Sequence, residues 1–131
     1  MARGRKILIV EDDALIAAVD RIILESGGYE VVGVVTNAED ALSRAAMTHP
    51  DLIVMDIHIA RAVDGIEAAT QILQTFGIRS IFATANVDPA TKARGAMAHP
   101  LGWVAKPYTP EMLFDVVAAA LEKLNDGEAP R

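Results

Sequence analysis

Cysteine is absent from the 131 residues. That excludes disulfides, thiolate metal sites and a cysteine nucleophile, and points to the cell interior as the compartment. Long apolar runs are absent too: the first, Ile7 to Val10, is cut off by Glu11-Asp12-Asp13. The basic start Met1-Ala2-Arg3-Gly4-Arg5-Lys6 therefore lacks the apolar segment of a signal peptide, and no stretch is long enough to span a bilayer. Positive charge is scarce, with 12 Lys+Arg against 18 Asp+Glu for a net charge of −6. No basic cluster runs along a helix face or alternates with the few aromatics, so direct nucleic-acid binding is not expected. Nor is there a glycine-rich turn behind the first apolar run, where a nucleotide- or flavin-binding module would cradle phosphate; Glu11-Asp12-Asp13 occupies that place.

Apolar residues make up 52% of the chain and charged ones 23%, a balance that suits one soluble globular domain. That domain is expected over 6–125, with 1–5 and 126–131 as flexible tails. Lys6 to Val10 reads as a strand buried on both faces. Tyr29 to Val35, Leu52 to Met55, Ser80 to Ala83 and Gly102 to Ala105 read as four more. Helical spacing lies between them. Leu15, Ile16, Val19, Ile22 and Ile23 form a stripe on a helix from Ala14 to Leu24, stopped by Gly27-Gly28. Thr36-Asn37-Ala38-Glu39 has the form of a capping box, opening a helix that ends before His49-Pro50. Gly65 to Thr75 and Pro89 to Met97 follow. Thr109-Pro110-Glu111 places a capping residue, a first-turn proline and an acid ahead of a helix that carries Met112, Leu113, Val116, Val117, Ala120, Leu121 and Leu124. Strict alternation predicts an α/β fold: a doubly wound, five-stranded parallel sheet with five helices. Ligands in such folds bind beyond the carboxyl ends of the strands.

Five residues with chemical potential fall at those ends: Glu11 and Asp12 after the first strand, Asp56 at the third, Thr84 at the fourth and Lys106 at the fifth. Three clustered carboxylates raise one another's pKa unless a cation compensates. Oxygen-only ligands suit a hard cation such as Mg²⁺. Such a set provides what phosphoryl transfer to a carboxylate requires, namely Asp56 as nucleophile and Lys106 with the Thr84 hydroxyl to meet the phosphoryl oxygens. Asp13 reads as the cap or first-turn acid of the helix behind it. His49, His58 and His99 lie apart, without metal-ligand spacing.

These residues resemble the receiver domains of bacterial response regulators. The resemblance rests on Ile7-Leu8-Ile9-Val10-Glu11-Asp12-Asp13, Leu52-Ile53-Val54-Met55-Asp56-Ile57-His58, Asp64-Gly65-Ile66-Glu67-Ala68, Thr84-Ala85 and Trp103-Val104-Ala105-Lys106-Pro107-Tyr108. It covers roughly residues 5 to 124 and implies a flavodoxin-like fold. Carried over, it makes Asp56 the phospho-acceptor and Asp12 a direct Mg²⁺ ligand, with Glu11 acting through water and His58 through its backbone carbonyl. It places Lys106 on the acyl phosphate, before a commonly cis peptide to Pro107, and makes Thr84 and Trp103 the switch pair. Trp103 stands where the family usually has Tyr or Phe, and it also reads simply as a partly buried core aromatic.

The resemblance implies a cytoplasmic phosphorelay component that is not an enzyme in the ordinary sense. It implies a sensor histidine kinase or histidine phosphotransfer protein as phosphodonor; with the sequence ending soon after its last helix, an unknown downstream protein is expected to be reached by protein contact rather than through a DNA-binding output domain. A homodimer through the fourth and fifth helices stays open. The competing readings are an aspartate-nucleophile phosphatase of the haloacid-dehalogenase type and a non-phosphorylated pseudo-receiver. The first expects a second Asp two residues after the nucleophile, where this chain has His58.

Overall fold

The structure is a computed structural model that describes residues 5–59 and 63–126; most of the two expected tails therefore lies outside the described residues. The elements alternate as β1 (Lys6–Val10), α1 (Ala14–Ser26), β2 (Glu30–Val35), α2 (Ala38–Thr48), β3 (Leu52–Asp56), α3 (Gly65–Phe76), β4 (Ser80–Thr84), α4 (Pro89–Gly95), β5 (Gly102–Ala105) and α5 (Pro110–Asn125). The strands form one parallel sheet in the order β2-β1-β3-β4-β5. Strand order reverses between β1 and β3, so the crevice beyond the carboxyl ends opens between the strands that carry Glu11 and Asp56.

Because side chains alternate across a strand, each central strand feeds two cores. Leu8, Val10, Ile53, Met55 and Phe82 pack on one face with Ala41 and Ala45 of α2 and Ile66, Ala69 and Ile72 of α3. Ile7, Ile9, Leu52, Val54 and Ile81 pack on the other with Leu24 of α1 and Leu113, Val117 and Leu121 of α5. Burial on both faces explains why the central strands read as unbroken apolar runs. Among the described residues no helix is long and apolar enough to cross a membrane.

Several local expectations shift. The capping residue of α2 is Asn37 rather than Thr36: its side chain accepts from the Asp40 amide at 2.9 Å and its amide reaches the Asp40 carboxylate at 3.1 Å. The cap is thus one residue later than the spacing suggested, and the second bond joins the two side chains rather than closing a capping box on the cap's backbone amide. The stretch expected as one helix to Met97 divides into α4 and a 3₁₀ turn, Ala96–Ala98. β3 and β4 each run one residue further, taking Asp56 and Thr84 into the sheet itself.

The largest correction concerns α1. Most of the expected apolar stripe does not face the core: Leu15 is 74% exposed and Ile22 64%, only Ile23 of the stripe packs against the core, and the buried residues are Ala17, Asp20 and Leu24. Leu24 and, in part, Ile23 pack against the core, and with buried Ala17 they set a phase that turns a carboxylate inward.

Candidate functional site

Each part of the site is fixed by backbone pairing at the sheet edge. The Glu11 amide donates to the Val35 carbonyl at 2.9 Å, which carries the β1–β2 ladder one residue past the strand and buries the Glu11 side chain. Asp12 is exposed beside it. Asp13 turns away: its Oδ1 caps α1 by accepting from the Leu15 and Ile16 amides at 3.0 and 3.1 Å. Asp56 lies opposite Ala83 at the end of β3 and is only 3% exposed. One carboxylate oxygen each from Glu11, Asp12 and Asp56 lies within 4.8 Å of the others.

Lys106 enters from the adjacent edge. Its amide donates to the Thr84 carbonyl at 2.9 Å, and its Nζ reaches Glu11 Oε1 at 2.8 Å and Asp56 Oδ2 at 3.4 Å. The peptide from Lys106 to Pro107 is cis. The His58 amide donates to Asp56 Oδ1 at 3.1 Å, so His58 meets Asp56 through its main chain, and its imidazole is not one of the converging groups. Thr84 is fully buried, and its Oγ1 accepts from the Asn86 amide at 3.0 Å. Its hydroxyl is thus engaged with the loop after β4 rather than with Asp56.

Among the described residues one cation faces two buried acids, which leaves the cluster short of positive charge. Burial and then the Glu11 carboxylate push Asp56 up to about 7, against the pull of Lys106 and the His58 amide. Burial works to lower Lys106, but the Glu11 and Asp56 carboxylates outweigh it and hold the ammonium above its ordinary value. The donor set fits a hard divalent cation: all ligand atoms are oxygens, they converge, and their mutual repulsion is what such an ion relieves.

The residues assigned to the switch stand apart from the carboxylates. The Trp103 indole is half-buried beneath α4, with its ring centroid 5.1 Å from that of Phe82 and Lys92 Nζ 5.5 Å above it. Gly95 makes room for it: a Cβ there would lie 2.6 Å from Trp103 Cη2. The sequence signal for this accommodation is an isolated glycine within a helical pattern. Gly65 has a comparable role at Asp56, since a Cβ would meet the Asp56 carbonyl at 2.1 Å. Only glycine lets α3 start this close to the end of β3.

Two residues not singled out from the sequence join the surroundings of the site. Asp20 on α1 is 1% exposed, and the Tyr108 hydroxyl lies 3.0 and 2.8 Å from its two oxygens. A lone carboxylate between Val19 and Ile22 was the visible sign, but its partner is 88 residues away.

Comparison with known proteins agrees with this geometry. The family model described as response regulator receiver domain matches residues 7–118. The phyllosphere-induced regulator PhyR of Methylorubrum extorquens is 34% identical over 117 residues, which is 88% of this chain and 43% of that protein. The chain thus spans less than half the length of that relative. The signal receiver domain of a modulated diguanylate cyclase from Desulfovibrio desulfuricans superposes with a TM-score of 0.84 at 38% identity, covering 92% of this chain and 95% of that one. The anti-anti-sigma factor PhyR from Bartonella quintana gives a TM-score of 0.78 at 28% identity, covering 98% and 51%. With a five-stranded parallel sheet in the flavodoxin-like order and a family match across most of its length, the chain belongs to the response regulator receiver domain family.

Proposed function

We propose that this domain accepts a phosphoryl group on Asp56 in a Mg²⁺-dependent step and passes the signal on by protein contact. The observation that carries the reading is the Lys106 ammonium, 3.4 Å from Asp56 and 2.8 Å from Glu11, at the edge where three carboxylates converge. Asp56 acts as its carboxylate. One oxygen forms a bond to phosphorus while the donor's phosphorus–nitrogen or phosphorus–oxygen bond breaks, and the electron pair leaves with the imidazole or carboxylate of the donor. Lys106 stays beside the new acyl phosphate to balance its charge. Asp12, Glu11, Asp56 and the His58 carbonyl would hold Mg²⁺, which when bound neutralises charge on the phosphoryl oxygens.

Readout follows from the new charge at Asp56. The Thr84 hydroxyl leaves Asn86 for a phosphoryl oxygen, and the space it vacates under α4 lets Trp103 move. A sensor histidine kinase or histidine phosphotransfer protein in the cytoplasm supplies the phosphoryl group. The face formed by α4, β5 and α5 meets the downstream protein or a second copy of the chain. An aspartate-nucleophile phosphatase lacks its general acid here, because the residue two after Asp56 is His58.

Incubation with Mg²⁺ and acetyl phosphate, followed by intact mass, tests the reading. The expected result is the mass gain of one phosphoryl group, lost in Asp56→Asn. No gain that depends on Asp56 would overturn it, and continuous release of phosphate from small esters would favour the phosphatase. Quenching or shift of fluorescence from the single Trp103 on phosphorylation reads the switch.

A further inference from the structure

We infer that Asp20 and Tyr108 are positioning residues that hold Lys106 within reach of Asp56. The inference rests on the function proposed for Lys106 above. Tyr108 lies two residues beyond Lys106 in the link between β5 and α5, and its hydroxyl is shared between both oxygens of Asp20 at 3.0 and 2.8 Å. Asp20 belongs to a different element, α1, where it is 1% exposed on the face turned to the sheet. The pair therefore ties the link that carries Lys106 to a helix whose own position is set by Ala17 and Leu24 packing. Upstream, the Lys106 amide is fixed to the Thr84 carbonyl; downstream, Thr109 caps α5 by accepting from the Met112 amide at 3.1 Å. Between these anchors the Tyr108 hydroxyl is the polar tie across to α1.

Asp20, Lys106, Pro107 and Tyr108 line one groove of about 460 Å³ whose other walls include Leu15, Val19 and Pro110. A carboxylate in such apolar surroundings costs stability. Burial pushes Asp20 up to about 6 against the Tyr108 hydrogen bond, with Glu11 adding to the rise and Lys106 opposing it. An apolar residue would fill this place without that cost. What the carboxylate provides in return is a directional acceptor that fixes one rotamer of Tyr108, and with it the path of the chain from Lys106 onward.

Tyr108→Phe removes one oxygen and keeps the ring, so it isolates the tie. The expected result is a fall of roughly fivefold in the rate of Asp56 phosphorylation by acetyl phosphate, the equivalent of one lost hydrogen bond. The NMR signal of the Lys106 ammonium should broaden in the same variant. Asp20→Leu should match it, whereas Asp20→Asn, which retains an acceptor oxygen, should restore a rate close to that of the unaltered protein. A Tyr108→Phe protein with an unchanged rate and an unchanged Lys106 signal overturns the inference, whatever its melting temperature. If the unaltered protein takes no phosphoryl group at all, the receiver function falls. The Lys106 signal in Tyr108→Phe then decides the positioning by itself.

Discussion

Among the described residues three carboxylates are buried, Glu11, Asp20 and Asp56, and the contrast between Asp56 and Asp20 separates a reactive site from a fastening. Asp56 shares with Glu11 the one ammonium that the described residues bring to the cluster, and burial followed by the Glu11 carboxylate raises it to about 7. Asp20 has a hydroxyl to itself, in an apolar wall, and rises to about 6. Asp20 is satisfied by geometry; what Asp56 lacks is positive charge, which a divalent cation supplies. A buried group left short of compensation is poised to react or to bind, whereas a satisfied one fixes the backbone around it.

The sharpest break of this contrast is substitution at the acids themselves. Asp56→Asn should abolish phosphoryl acceptance completely, as read by intact mass after treatment with acetyl phosphate and Mg²⁺. Asp20→Asn should still accept one group, because it leaves the nucleophile, Lys106 and an acceptor for Tyr108 in place. Equal loss in both variants would erase the distinction.

Next in size is the effect of removing the shared cation. Lys106→Met leaves Glu11 and Asp56 facing each other without compensation, and should cost about 2–4 kcal/mol in metal-free buffer at pH 8. Urea denaturation at pH 8 and pH 5 checks it. The cost should shrink at pH 5, where Asp56 carries a proton.

A third outcome concerns pH alone. Both carboxyls bind protons more tightly folded than unfolded. The stability they contribute is therefore complete below the ordinary value of 3.8 and is lost as pH rises through about 6 for Asp20 and about 7 for Asp56. Metal-free protein should lose stability between pH 4 and pH 8 from these groups, most steeply between pH 4 and about 6, where both release protons on unfolding. Asp56→Asn should remove the slope above about pH 6 and lessen it below, whereas Asp20→Asn should lessen only the slope below about pH 6. Saturating Mg²⁺ should remove the Asp56 part, since the ion binds the carboxylate form.

Most of the Asp56 region was legible in the sequence because each member sits at the end of an apolar run, and strand ends in a parallel sheet share an edge. The direct contact of Lys106 with Glu11 was not, because it depends on side-chain reach across two strands. The engagement of Thr84 with Asn86 and the room that Gly95 leaves for Trp103 are likewise set by packing rather than by period. The Asp20 region was misread for a physical reason. Leu15, Ile16, Val19, Ile22 and Ile23 make a good helical stripe, and spacing alone gives the stripe no direction. The phase of α1 is set by Leu24 and Ile23 against the core, and by a tyrosine hydroxyl that no local pattern announces.

That misreading supplies the smallest expected effect. If α1 turns its apolar stripe outward and Asp20 inward, then Ile22, 64% exposed, contributes little to folding. Ile22→Gln should change stability by less than about 0.5 kcal/mol, as a surface substitution does. Leu24, fully buried two residues on, should cost about 2–5 kcal/mol as Leu24→Ala, through lost burial and the cavity left behind. Paired denaturation curves at one pH measure the difference. Near-equal losses would mean that the stripe is packed after all, that the helix is rotated, and that Asp20 faces solvent. The contrast between a charge-starved and a satisfied carboxylate would then lose its second member.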